Sequence, residues 1–329
     1  MDAFEQWRAT PPGMWSQRLP LLERIAETGS PDERREALFW LGNERREAGD
    51  WEGSRDATRR LFALLEEAQA PADSLPHFAV LADTGGLLDL AIRAEALRGA
   101  VPGREATRRR RDRALEIRAA LAARAPVFLP VGEQCLPFNV LMRWGFARHA
   151  PEGPWTACNS RESGTSRALN ERLAAFGDPA AYRPLRAPSG VDTPVLPAYG
   201  CLFPHEASPH FTADGFMRLA ALYARRAATF LDAAAGGPVV FVVERHPQTD
   251  LGRLLAALEG VAPHGRFRLV TLDHPGTPPA DDRRVHPAAV APPGGGYTWY
   301  HADSYDTEAG FAYEEPMARA LLEAGLSLG

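Results

Sequence analysis

Cys135 stands three residues after Gly132 and two before Pro137, at the joint between an apolar run at 126–131 and a second apolar pattern at 136–147. Proline in the first turn of a helix sacrifices no hydrogen bond, so 136–147 reads as a helix and 126–131 as the strand that feeds it. A thiol has a use at such a joint. Its ordinary pKa of about 8.5 leaves only a small fraction as thiolate at neutral pH. The unpaired N–H groups and partial positive charge of a helix N-terminus favour the anion and could also hold a developing oxyanion. Gly132, Glu133 and Gln134 form the turn before the sulfur and would line whatever it attacks. The competing reading is a free cysteine packed as a small hydrophobe.

Further candidates lie downstream. His205, Glu206 and His210 share the stretch HEASPH. A helical metal site wants histidines at i and i+4; here the spacing is five with Pro209 between, so no helix presents both together. A metal on this loop would need a third ligand from elsewhere, such as Cys135 or His274; no metal and no cofactor are expected. Glu244 and His246 follow an apolar β-branched run at 236–244, and Asp273 and His274 end another at 266–274. His246 would line a pocket or precede a helix capped by Thr249 or Asp250. The stretch YTWYHADSYD at 297–306 holds Trp299 and His301, suited either to stacking on a sugar or base or to covering a core.

Composition narrows the classes. The 329-residue chain is 45% hydrophobic and 24% charged, which is ordinary for a globular protein of two domains. A formal charge of −5 argues against nucleic acid as the partner. The basic run REATRRRRDR at 104–113 reads as a solvated helix face. Every basic residue is Arg, which excludes Schiff-base, P-loop and kinase-type lysines. No apolar span is long enough to cross a bilayer, and no export signal is visible at the start of the sequence. Cys135, Cys158 and Cys201 make no disulfide framework, so a reduced, cytoplasmic setting is expected.

The elements that must position these residues fall into two parts. Residues 1–125 read as helices. Leu41, Gly42, Gly49, Asp50 and Trp51 resemble one tetratricopeptide repeat, with a weaker echo around Gly85. Such a region could offer a groove to a protein partner. From 126 onward, strands and helices alternate with short connections, which predicts a mostly parallel sheet covered by helices on both faces. The expected fold is therefore an α/β domain over 126–329, preceded by a small all-α tetratricopeptide-like domain. Residues 150–200 read as irregular cover with one helix near 166–176. Ligands of such sheets bind at the carboxyl ends of the strands, where Gly132–Cys135, Glu244–His246 and Asp273–His274 fall.

Gly132, Cys135, Leu141, Arg143 and Gly145 are spaced as in one known pattern. EGPW at 152–155 with its Trp155, FPHE at 203–206, Arg225-Arg226 followed by Phe230, VVFVVE and TLDH follow in a matching order. Together, over roughly 126–275, they resemble a bacterial family of papain-like cysteine peptidases. Pro204, Glu206 and Val243 stand where that family has Asn, Asp and Arg. The resemblance implies Cys135 as nucleophile and His205 as its base, with His210 a competing match. It also implies an orienting group drawn from His274, Asp273 and Glu244. A papain-type fold would carry an antiparallel sheet, whereas periodicity here predicts a parallel one.

The expectation is a cysteine-dependent hydrolase or acyl/amide transferase acting on a small-molecule or peptide substrate. Two alternatives are a nucleotide- or sugar-binding transferase-like domain with a structural Cys135, and a non-catalytic scaffold that binds a protein partner.

Overall fold

The computed structural model describes residues 2–67, 81–83, 85–98, 105–124, 126–132, 134–186, 192–262, 266–294, 297–298 and 302–328. It divides into two compact units, Met1–Val101 with Pro184–Pro194 and His205–Leu219, and Pro102–Arg183 with Val195–Pro204 and Ala220–Gly329.

The first unit contains helices Ala3–Ala9, Trp15–Thr28, Pro31–Glu47, Trp51–Glu67 and Leu88–Arg98. Their starts are written in the sequence. Asp2 with Glu5 and Ser30 with Glu33 form capping boxes, and Pro31 follows the second cap. Phe4, Trp7, Leu22, Leu41, Leu61 and Phe62 make the core between them. Gly49, at φ +78°, turns the chain between the third and fourth helices. Gly42 lies where a Cβ would come within 3.0 Å of Leu81, so the two segments pack closely. Arg18 and Glu44 form a buried ion pair, with the Trp7 indole donating to the same carboxylate at 2.8 Å.

The second unit is built on four parallel strands: β1 Val127–Pro130, β5 Val239–Arg245, β6 Phe267–Asp273 and β7 Val285–Ala289, in that spatial order. The register sets Pro130 beside Val242, Glu244 beside Leu272, and Asp273 beside Ala289. Parallel strands need long crossovers, and the connections here supply helices Leu136–Arg143, Glu162–Asn170, Met217–Gly236 and Leu251–Val261. Side chains alternate between faces. Phe128, Val240, Val242, Val270, Leu272 and Ala288 share one core with Leu136, Val140, Met317 and Leu321. That face is thus covered by helix Leu136–Arg143 and by the last helix, Glu308–Leu326. The opposite face carries Phe241, whose ring meets Phe230 of helix Met217–Gly236 and Phe267.

Three features depart from the sequence reading. The segment expected to be irregular contains a second sheet: β2 Arg183–Arg186, β3 Asp192–Leu196 and β4 Cys201–Leu202, with β3 and β4 antiparallel. These strands are two to five residues long and two contain proline, so they leave little periodicity to read. Strand β7 was also unforeseen, since His286 and Pro287 interrupt its apolar pattern. The basic run is only partly a solvated face. Arg110 and Arg111 are buried, with Arg110 paired to Asp306, while Arg108, Arg109 and Arg113 hold exposed carboxylates. Helix Glu105–Leu121, which carries the run, packs by Ile117 and Leu121 into the core of the second unit.

Candidate functional site

Strand alternation builds the site. Glu244 and His246 continue the row of Val240 and Val242; His274 continues the row of Val270 and Leu272. All three therefore emerge on one face at the carboxyl ends of neighbouring strands. The Glu244 side chain is 2% exposed, and its Oε2 meets His274 Nε2 at 3.0 Å. Among the described residues, its other oxygen, Oε1, is buried without a hydrogen-bond partner. The His246 ring stacks on the His274 ring, with centroids 4.1 Å apart and planes 20° apart. One nitrogen or oxygen from each of Glu244, His246 and His274 lies within 4.8 Å of the others.

Local backbone bonds hold this trio. His274 N–H donates to the Arg245 carbonyl at 3.0 Å, and Thr277 Oγ1 donates to the carbonyls of His274 and Arg245. His246 N–H donates to Thr249 Oγ1 at 3.0 Å, and Asp250 caps helix Leu251–Val261 through Arg253 N–H. The cap expected near His246 is thus supplied by Asp250, and the imidazole joins the trio. Tyr313, on the covering helix, has its phenol pushed up by burial first, then by the charges of Glu244 and Glu314.

Arg245 and Asp273 point to the opposite face. Arg245 Nε and Nη2 donate to the two Asp273 oxygens at 2.8 and 2.6 Å, and Nη2 also reaches the Pro278 carbonyl at 2.7 Å. Asp273 is therefore engaged by a buried guanidinium, not by an imidazole.

Cys135 is the N-cap of helix Leu136–Arg143 and is 7% exposed. Its thiol contacts Asn159 Oδ1 at 3.9 Å, and its carbonyl accepts from Asn139 Nδ2 at 2.8 Å. Because Leu136 and Val140 pack in the core shared with Val242 and Leu272, the helix begun by Cys135 covers the face to which the trio points. Gly132 turns the chain off β1 at φ +99°, where a Cβ would come within 3.1 Å of Val243. Gln134 is half-buried. Glu133, Trp299 and His301 lie outside the described residues.

The remaining candidates are divided between the two units. Trp155 is fully buried, donates to Ser160 Oγ at 2.8 Å and packs edge-on against Phe176 and Phe230, so its ring belongs to a core. His205 is exposed on the short turn Pro204–Glu206 and belongs to the first unit, whereas Cys135 belongs to the second. His210 is half-buried against Phe211. Burial, then the charge of Arg218, holds its imidazole below the ordinary value. In the described part of 297–306, the Tyr297 hydroxyl donates to Glu314 and the Tyr305 ring lies under the Arg143 guanidinium at 4.1 Å. These residues seal the interior. Cys158 and Cys201 are buried.

The sequence placed Glu244, His246 and His274 at strand ends but did not join them. The signal was parity: counted in twos from Val240 and Val270, all three fall on one face. No protein-family model, curated protein or solved structure matches the chain.

Proposed function

We propose that the second unit is a hydrolase or acyl/amide transferase acting on a small-molecule or peptide substrate at the carboxyl edge of its parallel sheet. The trio of Glu244, His246 and His274 is the reaction centre. The observation that carries this reading is the buried Glu244 carboxylate, bonded to His274 and flanked by the stacked His246 ring. A carboxylate-held imidazole at a strand edge, with a second imidazole stacked on it, suits activation of an attacking water. In hydrolysis the water oxygen bonds to the carbonyl carbon, the bond to the amine or alcohol breaks, and the leaving group takes up a proton. The resemblance to papain-like peptidases supports an acyl or amide carbonyl as the target.

Cys135 as the attacking group is the second reading, favoured by its place at the start of the helix covering the same face. Turnover of a panel of esters, thioesters and amides by wild type, Glu244→Gln and Cys135→Ala tests both. The trio reading expects Glu244→Gln to lose activity and Cys135→Ala to keep it; the thiol reading expects Cys135→Ala to abolish it. Absence of turnover across the panel sinks the enzyme reading.

A further inference from the structure

We propose that Glu244, His246 and His274 form a binding site for a single divalent transition-metal ion of the zinc or ferrous class. Their donor atoms lie within 4.8 Å of one another. The inference rests on the trio being the reaction centre and names what that centre holds, against the expectation of no metal drawn from the sequence.

Two observations point to an ion. The first is spacing. Two metal bonds of about 2.1 Å meeting at roughly 90–110° put their donor atoms about 3.0–3.4 Å apart. His274 Nε2 and Glu244 Oε2 are 3.0 Å apart. The second is Glu244 Oε1, a buried carboxylate oxygen that no donor among the described residues reaches. Buried charge persists when it is paired or coordinates a metal, and His274 satisfies only one of the two oxygens.

Donor type sets the class of ion. Two imidazoles and one carboxylate suit zinc or ferrous iron, while magnesium and calcium call for sets of oxygen ligands. Three protein ligands leave a position open, as in catalytic sites; Glu244 lies within strand Val239–Arg245, and His246 and His274 directly follow the ends of their strands. An ion there lowers the pKa of a bound water and polarises a carbonyl. The loop stretch with His205 and His210 lacks such an arrangement, since the described metal-ligating groups that converge are these three.

The test is a cobalt titration of the full chain after chelator treatment, followed by visible absorption and by displacement with zinc. The expected result is one equivalent of Co2+ with ligand-field bands, displaced by one equivalent of Zn2+. Glu244→Gln, nearly isosteric, and His246→Ala, at a half-exposed position, should each weaken binding by more than the roughly 10–100-fold typical of losing an outer-shell partner. His210→Ala should bind as wild type. No saturable binding, or binding that Glu244→Gln and His246→Ala leave unchanged, overturns the site. The outcomes separate from those of the reaction proposal. Hydrolysis that persists in chelator removes the ion and keeps the enzyme; tight cobalt binding without turnover keeps the ion and removes the enzyme.

Discussion

Arg143 and Glu314 meet inside the protein, Nε to Oε2 at 2.9 Å, with side chains 2% and 0% exposed. The pair ties the end of the helix that Cys135 begins to the helix that covers the sheet. Trp144 Nε1 donates to the same carboxylate at 2.6 Å, and the Tyr297 hydroxyl reaches its other oxygen. Removing one partner of such a pair leaves an uncompensated charge, which costs about 3–5 kcal/mol. Glu314→Gln should lose that order of stability in urea unfolding at pH 7.

The same carboxyl predicts a pH dependence. Burial pushes it up, but the Arg143 charge and the surrounding hydrogen bonds outweigh burial and hold it below its ordinary 4.5. A folded-state value below the unfolded one means that its stabilisation is fully present above pH 4.5 and is lost as pH falls through the folded value. The stability gap between wild type and Glu314→Gln should therefore narrow below pH 4.5. A gap that stays constant across that range would show that Glu314 is not the linked group.

Much of the second unit was legible because its central strands are long apolar runs and helices Leu251–Val261 and Glu308–Leu326 follow visible caps at Asp250 and Thr307. VVFVVE and RFRLVTLD need no tertiary information to be read as strands. The small sheet of β2–β4 was not legible, since its pairing is set by neighbours and not by pattern. The candidate site was half legible. Strand ends were identified, but which side chains share a face depends on where each strand begins, and a one-residue error reverses the answer. Arg143 shows a second limit. It was read as a motif position, yet its partner lies 171 residues away, a distance no local signal spans.

Asp273 and Glu244 were both candidates for orienting an imidazole, and their contacts now separate them. Asp273 is held by both nitrogens of Arg245, which is 2% exposed, so Asp273→Ala should destabilise the fold by about 3 kcal/mol. Folded Asp273→Ala protein should keep the cobalt spectrum of wild type. An unchanged melting temperature would mean that Asp273 contributes no structural pair.

Two glycines test the backbone that delivers the site. Gly132 and Gly145 have φ of +99° and +87°, a region where a Cβ is disfavoured. Gly132→Ala adds strain of about 1–3 kcal/mol, with Val243 Cγ2 able to shift from a 3.1 Å approach. Gly145→Ala meets the backbone oxygen of Ala114 at 2.3 Å, which cannot yield without moving helix Glu105–Leu121. Denaturant midpoints should rank wild type, then Gly132→Ala, then Gly145→Ala; the reverse order would contradict the described turn.

The three thiols give a probe of the Cys135 environment that needs no substrate. Cys158 and Cys201 are 0% and 1% exposed, and the Cys201 thiol faces the Tyr199 carbonyl at 3.8 Å, so both should resist alkylation until the protein unfolds. Cys135 is 7% exposed and stands at a helix start, where the thiolate is favoured. Under native conditions iodoacetamide should modify Cys135 first, with peptide mapping finding the other two only in denaturant. Rates followed across pH decide the role of the sulfur. A titration midpoint well below the ordinary value of about 8.5 supports a poised nucleophile. A midpoint at or above it leaves Cys135 as a packed residue and the strand-edge trio as the chemistry of the protein.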